Sequence, residues 1–231
     1  MQHKYNARTR LFELVNDDTS LLSTVSRFGI SLGFGEKNIA EVCNQHGIDT
    51  TTFLAVINFI AEGELEVQEI NYTISLDTVI SYLRNSHNYF LDFKLPLIRE
   101  KLDHLIKDET KFNDYRIVLL KFFDDYVDEV KKHMEYEDKT VFPYVIDLIG
   151  GKKNEHYSIL DFEEHHTDVD SKLSELKNIL IKYHPASSVN FQLNDILFDL
   201  LSCEKDLATH NIIEDFFFVP LVESYENKFS N

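Results

Sequence analysis

The chain has 231 residues, which could form one large domain or a small domain joined to a medium one. Apolar residues make up 43% of it, enough to form a hydrophobic core. It carries 40 acidic and 23 basic residues. The formal net charge of −17 argues against nucleic acid and anionic membranes as partners, since both would repel the protein. Seven glycines and four prolines are too few for an all-β protein with many turns, and they favour long helices with short connections.

The N-terminal sequence and the cysteines indicate a cytoplasmic location. The first residues lack the apolar segment of a signal peptide, and no apolar run reaches the roughly 18 residues that a transmembrane helix needs. Cys43 and Cys203 lie far apart and form no C-x-x-C pair. We therefore expect no disulfide framework, which fits a reducing compartment.

Residues 1–65 predict a small helical domain built from short elements. Two short amphipathic segments, 21–25 and 39–43, are separated by the turn-rich sequence 29–35, which contains three glycines. His46-Gly47 predicts another break. An acidic, polar stretch follows at 62–66, so we place a domain boundary near residue 65.

From about residue 75 the apolar pattern becomes long and helical. It predicts helices over 76–106, 112–148, 156–183 and 190–226, with polar breaks near residues 108, 151 and 185. Because each break is short, successive helices should be antiparallel neighbours. The second domain, 75–228, is therefore predicted to be an up-down-up-down four-helix bundle, and the whole protein to be all-α.

Histidine and glutamate interrupt the apolar stripes of this predicted bundle. Positions that alternate spacings of three and four mark the inward face of a helix. One such histidine is most simply a hydrogen-bonded core residue, but several on different helices at one level indicate a shared site. The stripes are Leu76, Ile80, Leu83, His87 and Phe90; Ile159, Phe162, His166, Val169, Leu173, Leu176 and Leu180; and Ile196, Leu200, Cys203, Leu207, His210, Glu214, Phe217 and Leu221.

The second and fourth helices carry the same motif. Glu137 follows His133 by four residues, as Glu214 follows His210, so each pair lies on one helical face about 6 Å apart. An imidazole and a carboxylate at this spacing can reach the same metal ion, or the carboxylate can bridge two ions. Both motifs are followed at the same distance by aromatic residues and a proline, in the sequences 140–143 and 217–220.

Helix lengths place four inward histidines at one level of the bundle. His87 and His133 lie at similar distances from the connection between the first two helices, as do His166 and His210 from that between the last two. At a rise of roughly 1.5 Å per residue, all four meet within one turn. We therefore predict a site for two metal ions with the ligands His87, His133, Glu137, His166, His210 and Glu214.

Two further histidines are not included in this set. His165 is adjacent to His166, and the stripe spacing selects His166 as the inward residue. His104 lies roughly 25 Å from His87 along a continuous helix. Whether His104 binds metal is left open.

The types of donor atom restrict which metal the site can bind. Imidazole and carboxylate suit iron, manganese or zinc, and the absence of thiolates argues against copper(I) and against an iron–sulfur cluster. Two imidazoles per metal and two bridging carboxylates would leave positions on octahedral iron for an oxo or hydroxo bridge and for dioxygen or nitric oxide. An aromatic shell would restrict access to the centre: Phe90, Phe142, Tyr144 and Phe217.

These residues resemble those of the hemerythrin-like family, and specifically of the bacterial di-iron proteins that repair iron–sulfur clusters. The resemblance covers nearly the whole chain and rests on His87, the two His-x-x-x-Glu motifs with Phe142-Pro143 and Val219-Pro220, and residues 164–166. It implies two non-haem, oxo- or hydroxo-bridged iron ions rather than zinc or manganese. It also implies that Glu137 and Glu214 bridge the irons and that the terminal ligands are His87, His133, His166 and His210.

Two positions separate this chain from oxygen-carrying hemerythrins. Those proteins place a second histidine one turn after the third-helix ligand, where this chain has Asp170. They also have an aspartate five residues after the last histidine; Asp215 occupies that place, but Glu214 fits the repair proteins better.

Residues 28–43 resemble the short domain that precedes the bundle in repair proteins, with Gly33-Phe34 at the place of its Cys-Cys pair. We expect Cys43 to pack in a small core rather than to react. The resemblance implies support of iron–sulfur cluster repair after nitrosative or oxidative damage, with damaged iron–sulfur proteins as partners. It also implies dimerisation through residues 1–65.

Two other functions remain open from the sequence. The first is binding or sensing of dioxygen or nitric oxide without turnover, which the missing Cys-Cys pair favours. The second is a structural bundle whose histidines bind zinc or no metal. Whether the protein is an enzyme is also left open.

Overall fold

The computed structural model describes residues 4–62, 74–107, 113–152, 157–165, 170–184 and 191–228. These residues are predominantly helical and contain no strand, so the predicted all-α class is confirmed. Arg10 and Asn38 form an isolated antiparallel bridge. No helix in the described part of the chain is both long enough and apolar enough to cross a lipid bilayer.

Within residues 4–62 the helices are short: α1 (Leu11–Asp17), α2 (Leu21–Arg27), α3 (Ile39–His46) and α4 (Thr50–Glu62). The two amphipathic segments predicted from the sequence lie in α2 and α3. Asn38 and Glu41 form a capping box at the start of α3. Gly47 ends α3 in the left-handed conformation with φ 68°, which explains the predicted break at this point.

These helices share an apolar core. The ring of Phe28 lies 4.9 Å from the ring of Phe53 and also 4.9 Å from the ring of Tyr82, which belongs to the helix that follows, measured between centroids. Cys43 is completely buried, and this burial raises the pKa of its thiol to about 11. As predicted, Cys43 therefore packs in a core and does not present a reactive thiolate.

Longer helices follow, three of them interrupted by a π-helical turn. Their bounds agree with three of the predicted spans to within two residues, and the described parts of the remaining span, 156–183, are α9 and α10. They are α5 (Leu76–Tyr89), the first π-turn (Phe90–Lys94) and α6 (Leu95–Lys107); α7 (Asn113–Tyr136), the second π-turn (Glu137–Val141) and α8 (Phe142–Ile149); α9 (Ile159–His165) and α10 (Asp170–Tyr183); and α11 (Phe191–Ile213), the third π-turn (Glu214–Phe218) and α12 (Val219–Lys228).

Each π-turn ends two residues before a proline. The backbone N–H of Leu95 donates to the carbonyl of Phe90, five residues earlier, and Pro96 follows. Proline lacks an N–H and its ring crowds the carbonyl four residues before it, so a wider turn lets the helix continue. The same pattern recurs at the other two π-turns, in the pairs Phe142–Glu137 and Val219–Glu214, followed by Pro143 and Pro220.

The chain divides into two compact units. One comprises Met1–Ser86, Val145–Asn154 and Thr209–Asn231; in it the Phe59 ring packs against Phe216 and Phe217. The other comprises His87–Tyr144 and Glu155–Ala208, and its core includes Phe123, Tyr126 and Leu176. The predicted boundary near residue 65 lies outside the described residues, so the division into domains 1–65 and 75–228 stays a prediction.

The predicted inward stripes are buried at every position whose side chain is described. His166 and Val169 lie outside the described residues. The buried members are Leu76, Ile80, Leu83, His87 and Phe90; Ile159, Phe162, Leu173, Leu176 and Leu180; and Ile196, Leu200, Cys203, Leu207, His210, Glu214, Phe217 and Leu221.

Candidate metal centre

His87 ends the apolar stripe of α5 and is 1% exposed. The ring of Phe142 stacks on its imidazole, with 5.5 Å between centroids and 17° between planes. This contact restricts rotation of the imidazole, so its two nitrogens point in defined directions.

Glu137 is the first residue of the second π-turn, and its carboxylate is completely buried. Its Oε2 lies 2.9 Å from Nε2 of His87. Its Oε1 lies 3.1 Å from Nε2 of His133, one turn earlier in the same helix. His133 is 11% exposed and so lies at the edge of the buried region. The two oxygens of one carboxylate thus face two different imidazoles.

The surroundings of His87 favour a positive charge. Burial by itself lowers the pKa of this imidazole, but the carboxylates of Asp138 and Glu137 outweigh burial and raise the pKa to about 9. Oδ2 of Asp138 lies 3.1 Å from Nδ1 of His87. A cation bound beside Glu137 would meet the same favourable field.

Asp138 is absent from the ligand set predicted from the sequence. A signal for it exists, because an aspartate directly follows the glutamate in both motifs, as Asp138 after Glu137 and Asp215 after Glu214. Its contact with His87, however, joins residues of different helices, and residue spacing along one helix does not reveal such a contact.

The second motif has the same local geometry. Nε2 of His210 lies 2.9 Å from Oε1 of Glu214, and both side chains are buried. Glu214 is the first residue of the third π-turn, as Glu137 is of the second. Asp215 is exposed, so the structure favours Glu214 over Asp215 as the inward carboxylate of this helix.

The donor atoms fit a metal ion. Within one compact unit Nε2 of His87 lies 2.9 Å from Oε2 of Glu137, and within the other Nε2 of His210 lies 2.9 Å from Oε1 of Glu214. Divalent ions of the first transition series bind imidazole and carboxylate at about 2.1 Å, so two donors at right angles lie about 3 Å apart. A buried carboxylate is costly unless a cation or a proton compensates its charge. Each buried pair of histidine and glutamate therefore fits a non-haem metal site.

Neither His166 nor His104 belongs to the buried donors of the described residues. The predicted ligand His166 lies outside the described residues, so the structure does not place it. His104 is exposed and lines a groove of about 320 Å³ with Lys101, Gln192 and Asp195. His104 does not belong to the donor group that the described residues form.

All four residues of the predicted aromatic shell are buried: Phe90, Phe142, Tyr144 and Phe217. Tyr144 packs edge-on against Tyr157 at 4.9 Å between centroids. The hydroxyl of Tyr157 lies 3.0 Å from that of Tyr136, the residue before Glu137. Burial, followed by this hydrogen bond, raises the pKa of Tyr157 and keeps its hydroxyl protonated.

Comparison with known proteins identifies the family of this fold. A family model described as the hemerythrin HHE cation binding domain matches residues 78–222. The chain belongs to the hemerythrin HHE family. The HHE match includes both His-x-x-x-Glu motifs and all three π-turns. The predicted hemerythrin-like helical bundle, preceded by a helical N-terminal region, is thereby confirmed.

A repair protein is among the relatives of this HHE protein. The chain is 20% identical over 206 residues to the iron–sulfur cluster repair protein ScdA of Staphylococcus haemolyticus. The match covers 88% of this chain and 92% of the relative, so it includes the N-terminal region as well as the HHE domain. The resemblance to repair-type hemerythrin-like proteins is confirmed.

Proposed function

We propose that this chain holds a non-haem di-iron centre and supports the repair of iron–sulfur clusters damaged by nitrosative or oxidative stress. The observation that carries the proposal is the position of Glu137. Its two oxygens lie 2.9 and 3.1 Å from the Nε2 atoms of His87 and His133, respectively. A carboxylate between two imidazoles can bind one ion through each oxygen, as a bridging ligand does.

In the proposed centre, imidazole and carboxylate donors without a thiolate suit iron, manganese or zinc, and the resemblance to di-iron repair proteins selects iron among them. The proposal that His166 is a ligand rests on the sequence pattern alone. We propose Glu137 and Glu214 as bridging ligands and, as terminal ligands, His87, His133, His166 and His210.

Bound iron would supply one-electron redox chemistry and open coordination positions for dioxygen or nitric oxide. The residues of this chain hold and shield the metal. Stacking of Phe142 fixes the orientation of the His87 ring. The burial of Glu137, His210 and Glu214 keeps bulk water away, which strengthens their electrostatic attraction for a cation.

The repair role is supported by the similarity to the Staphylococcus haemolyticus protein, whose name assigns cluster repair to it. Damaged iron–sulfur proteins are accordingly the proposed partners. A cytoplasmic location is consistent with two buried free thiols, Cys43 and Cys203, which would persist in a reducing compartment. Dimerisation through residues 1–65 is part of the proposal and rests on the resemblance.

A second candidate function is binding or sensing of dioxygen or nitric oxide without turnover. It is favoured by the chemistry of the N-terminal region, where Gly33-Phe34 replaces the Cys-Cys pair of the repair proteins. Cys43 does not substitute for that pair, because its thiol is buried and its pKa is raised to about 11.

Metal analysis with a visible spectrum tests the centre. Protein purified from iron-replete cells should contain two irons per chain and show absorption from an oxo bridge. Zinc in place of iron, or a colourless protein without metal, would contradict the di-iron proposal and support a structural bundle.

A turnover assay distinguishes cluster repair from sensing. The reduced protein is incubated with nitric oxide without air, and nitrous oxide and the reactivation of a damaged cluster enzyme are measured. Reactivation that requires the iron-loaded protein supports the repair role. A stable nitrosyl adduct with neither product contradicts it and supports the sensing role.

A further inference from the structure

Two consecutive residues lie close to the two nitrogens of the His87 imidazole. Oε2 of Glu137 lies 2.9 Å from Nε2, and Oδ2 of Asp138 lies 3.1 Å from Nδ1. The two carboxylates differ in burial, because Glu137 is completely buried whereas Asp138 is 36% exposed. They therefore lie at the inner and outer ends of the same ring.

The second π-turn makes this arrangement possible. It begins at Glu137 and contains Asp138. A π-turn has more residues per turn than an α-helix, so neighbouring side chains diverge by a smaller angle. The side chains of Glu137 and Asp138 can therefore both approach one ring on another helix, which neighbours in a regular α-helix do less readily.

We propose that Asp138 is a positioning residue for iron binding: its carboxylate accepts the Nδ1–H of His87 and so presents Nε2 of that ring to the metal beside Glu137. This inference rests on the proposed di-iron function. A carboxylate bound to the far nitrogen of a metal-binding histidine fixes its tautomer and orientation and makes the ligating nitrogen more basic. Asp138 acts through His87 and is not itself a ligand.

The sequence repeats the Glu-Asp pair of this π-turn in a second helix. The motif is His-x-x-x-Glu-Asp in both metal-binding helices, at 133–138 and at 210–215. In each copy a π-turn begins at the glutamate and includes the aspartate. The aspartate is thus repeated in the motif, but Asp215 is exposed, so the contact with a histidine nitrogen is described for Asp138.

The test compares iron binding by the full-length wild-type protein with that of Asp138→Asn and Asp138→Ala. Asparagine keeps an oxygen that can accept the Nδ1–H but removes the charge, whereas alanine removes both. Glu135→Gln is the matched control, because Glu135 is a half-exposed carboxylate on the same helix that pairs with Lys131 and Lys139. Iron affinity is measured by chelator competition, together with the visible spectrum and the reduction potential.

We expect iron affinity to fall about 10-fold to 100-fold in Asp138→Ala, and less in Asp138→Asn. The potential should shift in both variants, because the ligand becomes less basic. Glu135→Gln should match the wild type. The free energy of unfolding of the iron-free protein should fall by less than the free energy of iron binding in both Asp138 variants, which separates positioning of the ligand from a purely structural role.

Unchanged iron affinity and potential in both Asp138 variants would overturn the inference. So would a loss of affinity that is accompanied by an equal loss of stability in the iron-free protein. A wild-type chain that binds no iron would instead contradict the proposed function itself. If the wild-type chain binds two irons and both Asp138 variants keep the wild-type iron affinity and potential, only the role of Asp138 is contradicted.

Discussion

Nε2 of His87 lies 2.9 Å from Oε2 of Glu137, although the two residues belong to different helices. The contact joins the end of an apolar stripe on α5 to the start of a π-turn after α7. It brings a buried imidazole and a buried carboxylate together, and this pairing favours a cation at the same place.

Replacing Glu137 by alanine should reduce the iron content from two ions per chain to one or none. The change removes both oxygens of the proposed bridge, which face His87 and His133. The measurement is iron per chain after purification from iron-replete cells. Glu135→Ala is the control, because that carboxylate is bound to lysines, and it should keep both irons. Full iron content in Glu137→Ala would show that Glu137 does not bridge.

Replacing Phe142 by alanine should lower the free energy of unfolding of the iron-free protein by about 3–5 kcal/mol. Phe142 is completely buried and stacks on His87, so its removal leaves a cavity beside the proposed ligand. Urea denaturation in the presence of a chelator measures the change. Phe93→Ala is the control, because Phe93 is 58% exposed, and it should change stability by no more than about 0.5 kcal/mol. Equal effects of the two substitutions would contradict the complete burial of Phe142.

Replacing Asp199 by asparagine should destabilise the protein by about 3 kcal/mol at neutral pH. Asp199 pairs at 2.7 Å with Lys94, which is almost fully buried and would keep an uncompensated charge. Asp195→Asn is the control: Asp195 is 64% exposed and pairs with the more accessible Lys101, so the cost should stay below about 1 kcal/mol. Urea denaturation of both variants checks the difference, and equal costs would contradict it.

Acid should remove the contribution of Asp199 to the free energy of unfolding. Burial alone raises the pKa of this carboxyl, but hydrogen bonds from Lys101 and Lys94 outweigh burial and lower the pKa below its ordinary value. A carboxyl with a lowered folded pKa stabilises the protein above its unfolded pKa of about 3.9, and that stability is lost as pH falls through the folded value. Unfolding measured from pH 6 downward should show the wild type and Asp199→Asn converging only below about pH 4. A constant difference throughout would be inconsistent with the lowered pKa.

Native protein should resist alkylation of its cysteines at pH 8. Cys43 and Cys203 are both buried, and burial raises the pKa of Cys43 to about 11, so little thiolate is present. Mass spectrometry after iodoacetamide treatment should find both thiols unmodified, and both modified once denaturant is added. Rapid labelling of Cys43 in the native state would show a reactive thiol in the N-terminal region and would weaken the case for sensing over repair.

The sequence by itself determined the helices, their inward faces and the paired motifs. Spacings of three and four residues identify an inward stripe because an α-helix repeats every 3.6 residues. The stripe from Ile196 to Leu221 is buried throughout, including His210 and Glu214. The four-residue spacing within each His-x-x-x-Glu motif is likewise local, so it placed the imidazole and carboxylate on one face without knowledge of the fold.

Only the tertiary structure decided which side chains meet across helices. That Glu137 faces both His87 and His133, and that Asp138 reaches the far nitrogen of His87, depends on how far each helix is rotated about its own axis. Spacing along one helix does not determine that rotation, and each π-turn changes it by adding a residue to a single turn. The prolines after the motifs were visible in the sequence, but the wide turns that accommodate them emerged only in the folded chain.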